Sequence, residues 1–210
     1  MKTCVLFDLD GTLLDTLQDL TDSVNHSLAQ FGYPARTSRE IRSFLGNGAR
    51  DLIRCSVPEG ADYEPVFDVY TDWYRTHSQI KTAPYPGILE ALDILGKQYA
   101  VGVVSNKPDP ATKVLVKEYF GDLYALGQRD DIPKKPAADM LHYAMKELGA
   151  DRCIYVGDSD VDVITAKNAD CPCVSVTWGF RDVDELLAAG ATCLCDAAST
   201  LPAIIDNLAK

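Results

Sequence analysis

Short apolar runs alternate with helical patterns over most of the chain after Pro86. In the helical stretches, apolar residues recur at i, i+3, i+4 and i+7, as at Ile88, Ala91, Leu92 and Leu95. Asp109 followed by Pro110 predicts an N-cap and the first residue of a further helix. Continuous apolar runs that alternate with helices are typical of parallel strands covered by helices on both faces. The pattern therefore predicts an α/β fold with a Rossmann-like, doubly wound parallel sheet. Its candidate strands are residues 4–7, 101–104, 153–156, 173–176 and 193–195.

The stretch from residue 15 to 82 interrupts this alternation, because it contains no convincing strand pattern. Helical stripes of apolar residues cover 17–31 and 63–77, and Thr37 and Glu40 have the spacing of a capping box that opens a third helix. A helical block inserted after the first strand of an α/β domain is most simply a cap over the active site. We therefore predict a catalytic core of residues 1–14 and 83–210 and a helical cap of residues 15–82.

Polar side chains follow three of the candidate strands, at the edge where open parallel sheets bind their ligands. They are Asp8, Asp10 and Thr12 after the first strand, Ser105 and Asn106 after the second, and Asp158 and Asp162 after the third. Several carboxylates held together repel one another, so a cation is needed among them near neutral pH. Oxygen ligands favour Mg²⁺, which also bridges to substrate phosphates. Lys134 and Lys135, in the loop before a helix that we predict to start near Pro136, are the lysines best placed to meet a phosphate.

Composition and charge limit the kinds of partner. The 210 residues include 31 Asp and Glu against 20 Lys and Arg, a net charge of −11, so the basic surface that nucleic acids or anionic membranes require is missing. No apolar run approaches the ~20 residues of a membrane span, and the acidic start does not resemble a signal peptide. Most of the seven cysteines lie in apolar runs and are expected to be buried thiols. We expect a cytoplasmic protein, a monomer or homodimer, that binds a small molecule.

Taken singly, each polar motif has an ordinary structural explanation. An Asp-x-Asp sequence can be a solvated turn, Ser105-Asn106 a loop start or helix cap, residues 157–160 a turn before an N-cap, and Lys134-Lys135 a solvated pair. The combination is far more specific, because all four motifs occur in order at the predicted ends of parallel strands.

This combination resembles the four signatures of the haloacid dehalogenase-like phosphatases. Residues 8–16 resemble the first signature, 103–106 the second, Lys135-Pro136 the third and 156–162 the fourth. Residues 44–49 and 176–180 further resemble the phosphoglycolate phosphatase group, which carries a small helical cap. The third signature departs from the usual pattern, in which a second proline follows, and this leaves Lys135 favoured over Lys134.

The resemblance implies a role for each matching residue. Asp8 would be the nucleophile that forms an aspartyl phosphate, and Asp10 the general acid and base. Lys135 would neutralise the phosphate, and Thr12, Ser105 and Asn106 would bind phosphate oxygens. The implied Mg²⁺ ligands are Asp8, Asp158 and the backbone carbonyl of Asp10, with support from Asp162.

The cap is expected to select the leaving group. Gly46, Asn47 and Gly48 allow close backbone approach, and a carboxylate such as that of phosphoglycolate would suit a neighbouring arginine: Arg42, Arg50 or Arg54. We predict Gly46, Asn47, Gly48 and Arg50 as substrate contacts, although these arginines can equally be solvated helix residues.

Several related activities remain to be weighed. No lysine occurs between Lys2 and Lys81, so the cap lysine of Schiff-base phosphonate hydrolases has no candidate. Asp10 is present, whereas haloacid dehalogenases lack this second aspartate. A sugar phosphomutase, or a phosphatase of another metabolite or of pyrophosphate, remains an alternative. A receiver-like signalling domain is a distant one, because receivers lack a cap and carry an aspartate where Ser105 stands.

Overall fold

The largest element of the computed structural model, which describes residues 2–210, is a six-stranded parallel sheet. The six strands are β1 (Thr3–Phe7), β4 (Ala100–Pro108), β5 (Tyr124–Gln128), β6 (Arg152–Gly157), β7 (Cys173–Val176) and β8 (Leu194–Cys195). They lie in the order β5-β4-β1-β6-β7-β8, so β1 is central and pairs with β4 and β6. This confirms the predicted α/β, Rossmann-like fold.

Helices cover both faces of this sheet, as the continuous apolar strands require. Side chains alternate along β1, so Val5 and Phe7 pack into one apolar cluster while Cys4 and Leu6 pack into another. Helices α5, α6 and α10 contribute to the first cluster, and α7 and α8 to the second. The helices of this part are α5 (Ile88–Gly96), α6 (Asp109–Phe120), α7 (Asp139–Glu147), α8 (Asp160–Asn168), α9 (Val183–Ala189) and α10 (Leu201–Leu208).

The inserted block contains four helices and no strand between residues 16 and 82. They are α1 (Leu17–Gln30), α2 (Ser38–Phe44), α3 (Ala49–Ser56) and α4 (Glu64–His77), and they share an apolar core of their own. Thr37 and Glu40 form the predicted capping box of α2. The division into a core of residues 1–14 and 83–210 and a cap of 15–82 remains our proposal.

The two segments that connect the core with the inserted block pair with each other. A two-stranded antiparallel ribbon, which the sequence pattern did not predict, joins β2 (Leu14–Asp15) to β3 (Ala83–Pro84). The buried carboxylate of Asp19 also accepts hydrogen bonds from the backbone N–H groups of Ile80, Lys81 and Thr82. The start of α1 is therefore fixed to the segment by which the chain returns.

Four local predictions differ from the structure. Strand β5 was not predicted, because Ala125, Gly127 and Gln128 give it a weak strand signal. Strand β4 does not end at residue 104 but continues to Pro108, where it pairs with β5 again after an irregularity. Helix α7 begins at Asp139 rather than near Pro136, since residues 134–137 form a hydrogen-bonded turn. Asp109 does not cap α6, because its carboxylate accepts from the N–H of Gly127.

Two predictions from composition can be compared directly. Among residues 2–210, no helix has the length and apolarity that crossing a membrane requires. All seven cysteines carry free thiols; Cys4, Cys153 and Cys195 are buried, whereas Cys55 is exposed.

Candidate active site

Three carboxylates meet at the carboxyl end of the sheet. Asp8 directly follows β1, Asp158 directly follows β6, and Asp162 lies in the first turn of α8. The pairing of Phe7 with Val156 brings the ends of the two strands together. All three carboxylates are buried, and one oxygen of each lies within 4.8 Å of the others. A group of carboxylate oxygens at this spacing is suited to a hard divalent cation.

Asp162 is saturated with hydrogen bonds from the chain. Its Oδ1 accepts from Lys135 Nζ at 2.7 Å and from the Tyr155 hydroxyl at 3.0 Å. Its Oδ2 accepts from the backbone N–H groups of Asp158 and Ser159 and from the Ser159 hydroxyl, as part of the capping box of α8. The arrangement therefore makes Asp162 a support for the cluster.

Lys135 is the cation that the structure brings to this cluster. Its side chain is 1% exposed, and Nζ lies 3.1 Å from Asp8 Oδ1 and donates to the Tyr155 hydroxyl at 2.7 Å. Burial acts to lower the pKa of Lys135, but the charges of Asp162 and Asp8 prevail and raise it above its ordinary value. Lys134 is instead partly exposed and pairs with Asp51. Of the two candidate lysines, Lys135 is the one beside Asp8.

The two remaining carboxylates are held in an environment that disfavours their charge. Burial, and then the charges of Asp162 and Asp8, raise the pKa of Asp158 to about 8. Burial likewise raises the pKa of Asp8 to about 6, against the opposing effect of Lys135. A divalent cation would favour the ionised forms, so these residues fit such an ion.

Asp158 is fixed from two sides. The hydroxyl of Thr12 donates to its Oδ1 at 2.8 Å, and the N–H of Phe180 donates to its Oδ2 at 2.7 Å. Glycine is required at position 11, directly before Thr12, because its φ is +86° and a Cβ there would lie 2.3 Å from Asp158 Oδ2. Thr12 was predicted to bind phosphate oxygens, but its buried hydroxyl is committed to Asp158.

Ser105 and Asn106 of the second motif differ in how fully the chain uses their hydrogen-bonding groups. Ser105 is 3% exposed and lies beside Asp8, and its Oγ accepts from the backbone N–H of Lys107 at 3.4 Å. Asn106 was predicted to bind phosphate, but its amide nitrogen donates to the carbonyls of Gly46 and Lys135, and its oxygen accepts from the Lys135 N–H. Asn106 therefore connects the Lys135 turn to the cap, whereas the Ser105 hydroxyl remains available to a ligand.

Asp10 is paired with a lysine that the sequence reasoning missed. Lys107 Nζ donates to Asp10 Oδ1 at 3.0 Å and to Oδ2 at 2.9 Å, and its side chain is only 4% exposed. The Tyr74 ring of the cap covers the ammonium at 4.8 Å. The available signal was the position of Lys107 directly after Ser105 and Asn106, on the strand that carries them. The Asp10 side chain thus points to Lys107 and lies outside the three-carboxylate cluster.

Comparisons with known proteins agree with this geometry. The sequence model of the haloacid dehalogenase-like hydrolases matches residues 5–176, which include all four motifs. The chain belongs to this family. It is 33% identical to a phosphoglycolate phosphatase of Agrobacterium fabrum over 99% of this chain and 94% of that protein. It is 32% identical to one of Pseudomonas fluorescens over 98% of this chain and 81% of that protein.

A solved structure is similar to this chain in both sequence and fold. A Lactobacillus delbrueckii subsp. bulgaricus protein, described provisionally as a phosphoglycolate phosphatase, superposes with a TM-score of 0.89. It is 37% identical and covers 98% of this chain and 99% of its own. Together, these relatives identify this haloacid dehalogenase-like hydrolase as a phosphoric monoester hydrolase, a phosphatase that acts on small phosphorylated substrates.

The cap of this hydrolase contacts the core through residues 45–48. The carbonyl of Leu45 accepts from Arg181, that of Gly46 from Asn106 and that of Asn47 from Lys134. Gly48 has a φ of +91°, and a Cβ there would lie 2.9 Å from the Asn106 carbonyl oxygen. Gly46, Asn47 and Gly48 therefore approach the core closely, and the contacts they make are with core side chains. Their contact with the substrate stays a prediction.

The three cap arginines considered from the sequence form ion pairs and do not line the site. Arg50, predicted as a substrate contact, is 52% exposed, pairs with Glu64 and stacks over Phe67. Arg42 pairs with Asp182, and Arg54 with Asp51. Two other arginines, Arg75 and Arg181, do border the site, and the sequence reasoning considered neither of them, although the stretch that resembles phosphoglycolate phosphatases leads directly to Arg181. The Nε of Arg181 donates to Asp160, and its two Nη atoms donate to the carbonyls of Arg42 and Leu45.

A cavity of about 370 Å³ lies between the cap and the core of the hydrolase. Its floor carries the polar residues described above, and its walls are mainly apolar. The floor residues are Asp8, Asp10, Ser105, Asn106, Lys107, Asp158 and Ser159. The lining residues from the cap include Leu20, Leu45, Gly46, Gly48, Leu52, Tyr70 and Tyr74, and those from the core also include Pro110, Ala111, Val114, Phe180 and Arg181.

Proposed function

We propose that this phosphatase hydrolyses a small phosphorylated metabolite in a Mg²⁺-dependent reaction through an aspartyl phosphate, with phosphoglycolate as its leading substrate. The observation that carries this proposal is the position of Asp8. Its carboxylate lies at the floor of the cavity, 3.1 Å from the buried ammonium of Lys135 and within reach of Asp158. Phosphoglycolate is the substrate named for the relatives that match nearly the whole chain. We also propose the cytoplasm as its location.

The reaction proceeds in two transfers. A carboxylate oxygen of Asp8 attacks phosphorus, and the bond from phosphorus to the alcohol oxygen of the substrate breaks. Asp10 protonates the departing oxygen, then removes a proton from the water that cleaves the aspartyl phosphate, and Asp8 is regenerated. Lys135 neutralises charge on the phosphate, and the Ser105 hydroxyl donates to a phosphate oxygen. Phosphoryl transfer depends mostly on positioning and charge stabilisation, which these groups supply.

The metal would be held by the carboxylates of Asp8 and Asp158 and by the backbone carbonyl of Asp10. The raised pKa values of both carboxyls support this assignment, as does the spacing of their oxygens, which lie within 4.8 Å of each other. When bound, Mg²⁺ would neutralise the negative charge shared by Asp8 and the phosphate. Asp162 keeps its hydrogen bonds to Lys135 and the α8 start, and so supports the ligands from behind.

The leading substrate is tested by measuring phosphate release from a panel of phosphorylated metabolites. We expect phosphoglycolate to have the highest kcat/KM of a panel that includes glycerol phosphates, sugar phosphates and pyrophosphate. Consumption of β-glucose 1-phosphate without phosphate release would instead indicate a mutase. Preference for a panel member other than phosphoglycolate would reject phosphoglycolate while retaining the phosphatase.

The metal is tested by thermal unfolding with Mg²⁺ or with EDTA at pH 6 and pH 8. Because the folded-state pKa values of Asp8 and Asp158 are raised, these groups contribute stability that is present below their ordinary value near 3.8 and is lost as the pH rises through about 6 and 8. Mg²⁺ competes with those protons, so its stabilising effect should be larger at pH 8. At a hundredfold excess over Kd we expect roughly 5–10 °C.

The matched pair for this measurement is Asp158→Asn and Asp68→Asn. The first removes a proposed ligand and should abolish the Mg²⁺-induced shift, whereas the second changes an exposed residue of α4 and should preserve it. A shift that survives Asp158→Asn unchanged would reject this carboxylate as a ligand.

A further inference from the structure

Lys107 is a buried cation with direct access to the cavity. It follows Ser105 and Asn106 on β4, is 6% exposed, and lines the cavity floor beside Asp10. An ammonium has three N–H donors, and the two oxygens of Asp10 accept from it at 3.0 and 2.9 Å, so a donor remains for a ligand. The Tyr74 ring closes the site from the cap side.

The other cations near the cavity are less suited to a small anionic ligand. Each nitrogen of the Arg181 guanidinium already donates a hydrogen bond, to Asp160 or to the carbonyls of Arg42 and Leu45. Three of its five N–H groups are thus engaged, and they fix the side chain at the contact between cap and core. Lys135 already contacts Asp8 and Asp162 at the phosphate end. Arg75 lines the cavity but is exposed, so solvent weakens any charge pair that it forms.

The position of Lys107 beside Asp10 matches the chemistry of the proposed substrate. Asp10 must reach the ester oxygen of the leaving group in order to protonate it. In phosphoglycolate a single methylene separates this oxygen from the carboxylate, so a cation adjacent to Asp10 is adjacent to that carboxylate as well. Because Lys107 is shielded from solvent, a pair with the carboxylate would be stronger than one at the surface.

We propose that Lys107 determines specificity by binding the carboxylate of the leaving group, and that in the free enzyme it positions the Asp10 side chain. This inference rests on the proposed function and assigns to the core a recognition task that the sequence pattern assigned to cap arginines. The enzyme would accordingly favour phosphate esters whose alcohol carries an anionic group next to the ester carbon. Binding of the carboxylate would draw the ammonium partly away from Asp10 and free that side chain for proton transfer.

The test compares two substrates that differ only in the recognised group: 2-phosphoglycolate and 2-hydroxyethyl phosphate. For the wild type we expect a higher kcat/KM with phosphoglycolate. Lys107→Met should raise the KM for phosphoglycolate by about 10- to 100-fold, the range for a hydrogen bond to a charged group, and remove the preference. A fall in kcat that is equal for both substrates would report the positioning of Asp10. Lys107→Arg keeps the charge and should retain part of the preference.

Two control variants separate the possible outcomes. Arg75→Met should keep the preference, and so should Lys113→Met, which changes an exposed lysine of α6. Circular dichroism and thermal unfolding would establish that each variant is folded. If the wild type prefers phosphoglycolate but Lys107→Met and Lys107→Gln keep that preference, or if Arg75→Met removes it, the inference about Lys107 is rejected and the proposed function stands. A wild type without preference would reject both the inference about Lys107 and phosphoglycolate as the leading substrate, while the phosphatase activity would stand.

Discussion

Asp8→Asn is expected to reduce kcat by at least about 10⁴-fold, because it removes the nucleophile while keeping the size of the side chain. The amide cannot form the acyl phosphate that splits hydrolysis into two transfers. Phosphate release under saturating substrate and Mg²⁺ measures the loss. In an acid-quenched reaction, mass spectrometry should find a phosphoryl group on the Asp8 peptide of the wild type and none on that of the variant.

Stability provides the control for this variant. Burial disfavours the charged form of Asp8 and raises its pKa to about 6, so an uncharged amide should make the metal-free protein more stable at pH 8. A variant that is inactive and also more stable would exclude unfolding as the cause of inactivity. Asp68→Asn, on the exposed face of α4, should change neither property. Turnover by Asp8→Asn close to that of the wild type would reject the covalent route.

The arrangement of the core could be predicted because local pattern and topology agree there. Apolar runs followed at once by carboxylates identify the ends of β1 and β6, and parallel pairing then brings Asp8 and Asp158 together. Strand β5 was missed because an edge strand with Ala, Gly and Gln has little pattern to detect. The end of β4 was misplaced because polar residues inside an extended strand look like the loop that follows one.

The sequence predicted which residues lie at the site, but it could not predict the hydrogen-bond partners of their side chains. The motif places Thr12 and Asn106 at the site, but only the three-dimensional arrangement directs the Thr12 hydroxyl to Asp158 and the Asn106 amide to Gly46 and Lys135. Through these hydrogen bonds, Thr12 fixes the Asp158 carboxylate, and Asn106 fixes the turn of Lys135 relative to the cap. Their contribution is therefore to the geometry of the site, whatever they contact when substrate is bound.

The cap was the least predictable part, because its helices leave several faces equally available to charged residues. Arginines that lie near Gly46–Gly48 in sequence form ion pairs at the surface, as Arg50 does with Glu64. The buried cations near the leaving group instead come from the core, on β4 and in the loop after β7, and are separated from the cap glycines by long stretches of chain. Proximity in sequence was a poor guide to proximity in the cavity.

Lys135→Met is expected to lower the free energy of unfolding by about 3–5 kcal/mol and to abolish turnover. The variant leaves Asp8 and Asp162 buried without their shared cation, which is the costly way to break a buried ion pair. It also removes the donor to the Tyr155 hydroxyl. For a chain of this size the melting temperature should fall by roughly 10 °C. Chemical denaturation at pH 8 measures the energy, and phosphate release measures the activity.

The matched control is the adjacent Lys134→Met, because that lysine is 38% exposed and pairs with a partly exposed carboxylate of Asp51. It should cost less than about 1 kcal/mol. The deficit of Lys135→Met should also shrink at pH 5, since Lys135 acts to lower the pKa of Asp8, and that carboxyl takes up a proton more readily once the ammonium is gone. Equal losses for the two variants, or a deficit independent of pH, would show that Lys135 does not compensate the buried carboxylates. Either result would reject the role of Lys135 in keeping Asp8 ionised for attack, and Asp8 would then need another cationic partner.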